Sequence, residues 1–180
     1  MQGYGRACWT GCVCLEPDVE WILFCDADGS DQLNGVIRFL EEAREADFVL
    51  GDRRSRKEGR SLMTLAQNFG NGLATFLIRL GWCYRYFDLG PLRLIRRGLF
   101  ESIGMIDRGF GWTLEMQVRA VEEGATIAEI PVGYRRRQGG RSKISGTVKG
   151  SVTAGVVILS TLARLWFRRF SKRGKGNQRS

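Results

Sequence analysis

Histidine is absent from this 180-residue chain. Its absence removes every mechanism that needs an imidazole base or metal ligand and leaves acid–base work to Asp, Glu, Lys, Tyr or Cys. Cysteine is scarce and poorly spaced for zinc. Cys8, Cys12 and Cys14 crowd into one segment, and no second Cys or His pair at ligand spacing follows Cys25 or Cys83. The five are read as small apolar side chains with free thiols, and an odd count without a framework fits a reducing compartment. No uninterrupted apolar run reaches the roughly 20 residues of a spanning helix. No signal peptide follows Met1, only a Gly-rich polar stretch at residues 2–6, and no internal repeat is visible.

What is present is a hydrophobic fraction of 43%, enough for one cored domain. Lys and Arg number 28 against 19 acidic residues, a net charge of +9. That excess favours anionic partners: nucleic acid, anionic lipid or phosphorylated substrates. Three runs read as buried strands: residues 20–25, 47–50 and 127–134. Pro131 lies inside the third, which assigns it to an edge or a bulge. Between them lie helical periodicities. Residues 33–46 place Val36, Ile37, Leu40 and Ala43 on one face, with Asp31 as N-cap; residues 62–80 align Leu62, Leu65, Phe69, Leu73, Phe76 and Leu80; residues 114–123 form a shorter helix. This alternation predicts an α/β layered domain with a largely parallel sheet.

Residues 148–170 carry Val152, Val156, Leu159, Ala163, Trp166 and Phe170 on one face and Lys149, Thr153, Ser160, Arg164 and Arg168 on the other. The pattern predicts an amphipathic helix, lying either on the domain or at a membrane surface. Residues 171–180 read as a basic flexible tail.

Four segments can carry chemistry. In Cys25-Asp26-Ala27-Asp28-Gly29-Ser30-Asp31, two carboxylates stand two apart where a buried strand ends, the edge at which open α/β sheets bind ligands. A turn at Gly29 would bring both toward one hard cation, which takes oxygen ligands and bridges to phosphates; the simpler reading is an acidic turn that caps a helix. The run from Arg135 to Lys143 sets five cations around Gly139 and Gly140, which suits phosphate oxygens or, more simply, a solvated or nucleic-acid-facing loop. Glu115, after Gly111-Trp112-Thr113-Leu114, falls in the first turn of a helix, a common helix-start preference. Asp88-Leu89-Gly90-Pro91-Leu92-Arg93 is a turn with a carboxylate.

The order of these segments resembles the family 2 glycosyltransferases of GT-A fold, closest to the dolichyl-phosphate mannose and polyprenyl-phosphate glucose synthase branch. GYGRA is similar to the family's Gly-Tyr-Gly segment, DADGSDQ to its Asp-X-Asp motif and GDR to its Gly-Ser-Arg strand end. DLGPLR resembles the acceptor-side turn, and GWTLEM and EIPVGYRRRQGGRSKISGT the later motifs. The likeness runs from Gly3 to Leu165. It implies a Rossmann-like GT-A domain over residues 1–147, a mostly parallel sheet flanked by helices. The family's upstream strands, with a Pro-X-Tyr-Asn-Glu-like segment and a base-reading carboxylate, have no counterpart here, so the domain is expected to lack its first strands. Asp52 stands where Ser or Thr is usual, and Ser30 where some members place Gln.

The resemblance implies an inverting transfer of a sugar from a nucleotide-diphosphate donor, UDP- or GDP-linked, to polyprenyl or dolichyl phosphate. It assigns Asp26, Asp28 and Ser30 to Mg²⁺ or Mn²⁺, and Gly3, Arg53, Arg137, Ser142 and Lys143 to donor phosphates. Gly90, Arg93 and Trp112 fall on the acceptor side, and Asp28, Glu115 and Asp88 in catalytic roles. Glu115 is the base candidate for a hydroxyl acceptor; a phosphate monoester, largely dianionic at neutral pH, needs none. The implied location is peripheral, at the cytoplasmic face of a membrane or on a membrane-protein partner, without nucleic acid. Two other classes remain: a non-catalytic remnant of such a domain, and a basic membrane- or nucleic-acid-binding module.

Overall fold

The computed structural model describes residues 3–136 and 148–176. The element order is α1 (Tyr4–Val13), β1 (Trp21–Phe24), a single 3-10 turn (Leu33–Gly35), α2 (Val36–Glu42), β2 (Phe48–Asp52), α3 (Lys57–Leu62) and α4 (Leu65–Trp82). It continues with β3 (Arg93–Arg96), α5 (Arg97–Ser102), α6 (Trp112–Glu122), β4 (Ile127–Pro131) and α7 (Val148–Gly176). The four strands form one sheet in the order β1-β3-β2-β4.

The sheet is covered on both faces except at β1, where Leu23 is exposed, and the period-2 alternation of its strands divides the two cores. Ile22, Phe24, Phe48, Leu50 and Ile95 point into one core, with Ala74 and Ile78 of α4, Met116 and Val118 of α6, and Leu162 and Leu165 of α7. Val49, Leu94 and Ile130 point into the other, closed by Phe39 and Ala43 from the α2 side. The result is a mixed α/β, three-layer arrangement.

The expected parallel sheet is corrected in one respect. β4 runs parallel to β2, but β3 lies antiparallel between β1 and β2. Arg93-Leu94-Ile95-Arg96 is short, flanked by arginines and directly after a Pro-containing turn, so its apolar pair does not stand out as a strand. β1 and β2 therefore point the same way across an intervening strand, and their carboxyl ends open on one edge beside the start of β3. β4 occupies the sheet edge, as Pro131 predicts.

Two helices turn differently from expectation. The run from 62 to 80 is broken: Met63 is extended, and Thr64 and Gln67 form a reciprocal capping box that starts α4 at Leu65. Inside α4, the small and polar Asn71, Ala74 and Thr75, with Ile78 and Trp82, face inward, while Leu65, Phe69, Phe76 and Leu80 remain exposed. Likewise Phe39 and Ala43 are buried near α2, whereas Ile37 and Leu40 are exposed. Apolar spacing marks a stripe; it does not say whether that stripe meets this chain's own core. α7 packs on α4 and α6 and continues past 170 to Gly176. Among the described residues no helix is long and apolar enough to cross a membrane. Cys8 and Cys12 of α1 pack against the first core as apolar groups, and burial raises both thiol pKa values.

Candidate active site

The acidic turn follows β1 directly. Gly29 takes φ +75°, a conformation that favours glycine, and folds the segment back. The Asp26 amide donates to Asp31 Oδ2 at 2.8 Å, and the Ser30 amide to Asp28 Oδ1 at 2.9 Å. Asp31 is thus a brace inside the turn, not the helix N-cap expected of it: the residue before the 3-10 turn is Gln32, without a side-chain cap. Ser30 and Asp31 are buried, and Ser30 Oγ and Asp31 Oδ1 have no hydrogen-bond partner among the described residues. Burial raises the Asp31 pKa; the Asp26 amide bond opposes the rise, and the Asp26 carboxylate adds to it.

The basic segment after β4 closes on this turn. Tyr134 bridges Asp31, the Arg135 amide donates to Ser30 O at 3.1 Å, and Arg135 Nε donates to Gly29 O at 2.6 Å. Two segments more than 100 residues apart thereby meet around one group of carboxylates. Arg136 is exposed; the other cations of that run, Arg137, Arg141 and Lys143, and Ser142 lie outside the described residues.

The end of β2 supplies Arg53. It forms a two-pronged ion pair with Asp88, Nε to Oδ2 at 2.8 Å and Nη2 to Oδ1 at 3.0 Å, and its amide also donates to Oδ2 at 3.0 Å. Burial alone would lower the Arg53 pKa and raise that of Asp88; the pairing outweighs it in both, so each stays charged. Asn71 of α4 donates to Asp88 Oδ1 as well. The guanidinium also lies over Tyr134, 5.2 Å from the ring centroid, which joins the pair to the acidic turn. Gly90 permits this closeness: a Cβ there would sit 2.8 Å from Gly51 O and 3.1 Å from Asp88 Oδ2. Asp88 is thus a positioning group for Arg53. At the start of α1, the Gly5 amide bonds Gly109 O at 3.1 Å, and a Cβ on Gly3 would meet Arg108 O at 2.8 Å. Tyr4, whose pKa burial raises, feels the charges of Arg93 and Asp26, so this segment reaches the end of β1.

Three expected site residues prove to be internal. Glu115 is fully buried; Oε1 takes Arg119 Nε at 2.8 Å and Nη2 at 2.7 Å, and Oε2 takes the amides of Ile106 at 3.1 Å and Asp107 at 2.6 Å. With both oxygens engaged, it has no lone pair to offer as a base. Arg93 is also fully buried and donates to the carbonyls of Thr113, Pro91 and Gly90, tying the 88–93 turn to α6. Trp112 is a core ring between Phe24 and Phe100, at 6.1 and 6.0 Å. In each case the motif holds the site's edge together without facing it.

Tyr134, Asn71 and Glu129 were not singled out from sequence, and Arg135 only as one cation of the basic run. Glu129 of β4 accepts from the amides of Phe87, at 2.9 Å, and Asp88, at 3.3 Å, and so fixes the turn that carries Asp88. The one available signal was the Gly-Tyr-Arg-Arg run after Pro131, which marks a chain leaving an edge strand.

This arrangement has relatives. The chain is 32% identical over 153 residues to an uncharacterised glycosyltransferase of Mycobacterium tuberculosis, covering 84% of this chain and 68% of that protein. It is also 32% identical over 161 residues to the undecaprenyl-phosphate mannosyltransferase of Micrococcus luteus, covering 83% and 63%. A third relative is the dolichyl-phosphate hexose transferase of Haloferax volcanii, 31% identical over 143 residues, covering 77% and 59%. No protein-family model matches. With such a relative spanned over two thirds of its length, the chain belongs to the glycosyltransferases, the family 2 enzymes that its motif order resembles.

Proposed function

We propose that the chain, as part of a GT-A type fold, transfers a sugar from a nucleotide diphosphate to the phosphate of a polyprenyl lipid. The observation that carries the reading is the turn after β1. Asp26, Asp28 and two buried oxygens without a partner among the described residues, Ser30 Oγ and Asp31 Oδ1, stand together, with Arg53 and Arg135 at their margin. This oxygen-rich donor set fits a hard divalent cation, Mg²⁺ or Mn²⁺. Among the described residues no three carboxylates or thiolates converge on one point, so Asp26 and Asp28 would hold the ion and leave positions for substrate oxygens. When bound there, it supplies charge neutralisation for a diphosphate leaving group.

Arg53, kept charged by Asp88, offers a fixed cation to phosphate oxygens in the same place. The acceptor follows from Glu115. Since that carboxylate is committed to Arg119 and the backbone, an acceptor that needs no base suits this fold, and a lipid phosphate is already nucleophilic. Two of the relatives carry undecaprenyl phosphate or dolichyl phosphate in their names. Such an acceptor would bring the chain to a membrane surface.

Calorimetric titration of UDP, GDP and their sugars, with and without Mn²⁺, tests the donor side. Metal-dependent binding should fall by about 10²-fold or more in Asp28→Asn, since removal of a group that orients the ion costs on that scale. Binding that is indifferent to metal and to Asp28 would refute the assignment.

A further inference from the structure

Beyond the end of β2, between Asp52 and α4, lies an open cavity of about 380 Å³ that none of these assignments uses. Its wall includes Arg54, Arg60, Arg79 and Arg85, together with Asp52 and Phe76. Among the described residues of the wall the one carboxylate, Asp52, is committed to its own turn: Oδ1 accepts the amides of Arg54 at 2.7 Å and Ser55 at 3.1 Å, and Oδ2 takes the Ser55 hydroxyl. Among the described residues, none of the four arginines is in an ion pair. Arg85 lies on the ring of Phe87, 4.9 Å from its centroid, and Arg54 gives one bond to Phe87 O at 3.2 Å while its Nε is buried without a partner. Four guanidiniums around one concavity repel one another, and an anion relieves that repulsion.

The cavity opens beside the exposed stripe of α4. Leu65, Phe69, Phe76 and Leu80, spaced by 4, 7 and 4 residues, fall on one side of the helix, and they are 89, 74, 60 and 64% exposed. On the adjoining α7, Val156, Leu159 and Phe167 are exposed too. Phe76 belongs to both cavity and stripe. A cationic hollow continuous with an apolar ridge matches a molecule with a phosphate at one end and a long hydrocarbon at the other.

We propose that the Arg54–Arg60–Arg79–Arg85 cavity binds a lipid phosphate, with the hydrocarbon following Phe76 and Phe69 along α4. The proposal rests on the reading that the acceptor is a lipid phosphate; two of the cavity's residues, Arg54 and Phe87, are chain neighbours of the paired Arg53 and Asp88. A phospholipid headgroup shares the same chemistry.

Flotation of the full chain with phosphatidylcholine vesicles tests it. The vesicles are used plain, doped with a few mole per cent of polyprenyl phosphate, or doped with the same amount of phosphatidylglycerol. No nucleotide or metal is added, so the result stands whatever the donor titration gives. The chain should float with polyprenyl-phosphate vesicles and be displaced by inorganic phosphate. R79Q/R85Q should bind tenfold or more weakly, since it removes two charge-assisted contacts to the phosphate; R79K/R85K should keep most of the binding. F69S/F76S should lose vesicle binding but still bind inorganic phosphate. Preference for the monoester over phosphatidylglycerol identifies the acceptor as the ligand, and equal binding identifies the bilayer headgroup. Undiminished binding by R79Q/R85Q, or no wild-type binding to either anionic vesicle, overturns the site.

Discussion

The N-terminal part of α6 and the turn after β1 both gather charged residues from motifs of one family, yet they treat them oppositely. Around α6, the charged Glu115, Arg119 and Arg93 are buried and answered by a carboxylate, amides or carbonyls; the atoms without a partner there among the described residues, Trp112 Nε1 and Gln117 Oε1, belong to neutral side chains. After β1, buried oxygens, one of them on a carboxylate, are left without partners among the described residues, an arrangement that costs stability unless something else completes it. A closed network specifies a shape. An incomplete one, at the carboxyl ends of parallel-running strands, is where a ligand contributes most.

The sharpest way to break this comparison is Glu115→Gln. If the pair with Arg119 is structural, the change strands a buried guanidinium and should cost about 3–5 kcal/mol, as removal of one partner from a buried ion pair does. That corresponds to a melting temperature lower by roughly 10 °C. Turnover per folded molecule should then change little, with hydroxyl and phosphate acceptors alike. A variant that melts like the wild type but no longer transfers sugar would return Glu115 to the chemistry. Asp88→Asn should have a smaller effect on folding, about 1–3 kcal/mol, because the amide still accepts one bond and Arg53 retains some solvent contact. Its signature is a weaker affinity for the nucleotide diphosphate, from an Arg53 no longer held in place. Unchanged nucleotide affinity would reduce the Arg53–Asp88 pair to a strut.

The layered α/β class, the three apolar strands and the edge position of the Pro131 strand were legible in the sequence, because burial on both faces leaves continuous apolar runs and proline cannot sit in a central ladder. The carboxylates at the end of β1 were legible for the same reason: the strand points at them. Less visible was β3, whose arginines disguise it, and with it the antiparallel insertion. The roles of Glu115, Arg93 and Trp112 were hidden in another way. A motif records which residues occur together, whereas burial and partners decide whether a charge faces ligand or backbone. The outward stripe of α4 shows the limit of periodicity, which cannot distinguish a core face from a docking face.

Glu129 gives the smallest expected effect and the finest test of how the site's edge is held. Burial is the main cause that pushes its pKa up to about 7; the amides of Phe87 and Asp88 oppose the rise, and the charges of Asp52 and Asp88 reinforce it. Because the folded-state pKa lies above the ordinary value of 4.5, the folded chain holds a proton that the unfolded chain releases first. The associated stability is complete below about 4.5 and is lost as the pH rises through about 7. Urea denaturation of the wild type and Glu129→Gln across that window should therefore show the wild type losing stability relative to the variant as the pH rises. Ionisation has an opposite consequence for the turn, since the carboxylate is the stronger acceptor for the Phe87 and Asp88 amides. Nucleotide affinity in the wild type should accordingly rise modestly over the same range while global stability falls. Parallel pH profiles for the two proteins would mean that Glu129 titrates as an ordinary surface carboxylate and that the Asp88 turn is held by Arg53 and Asn71 alone.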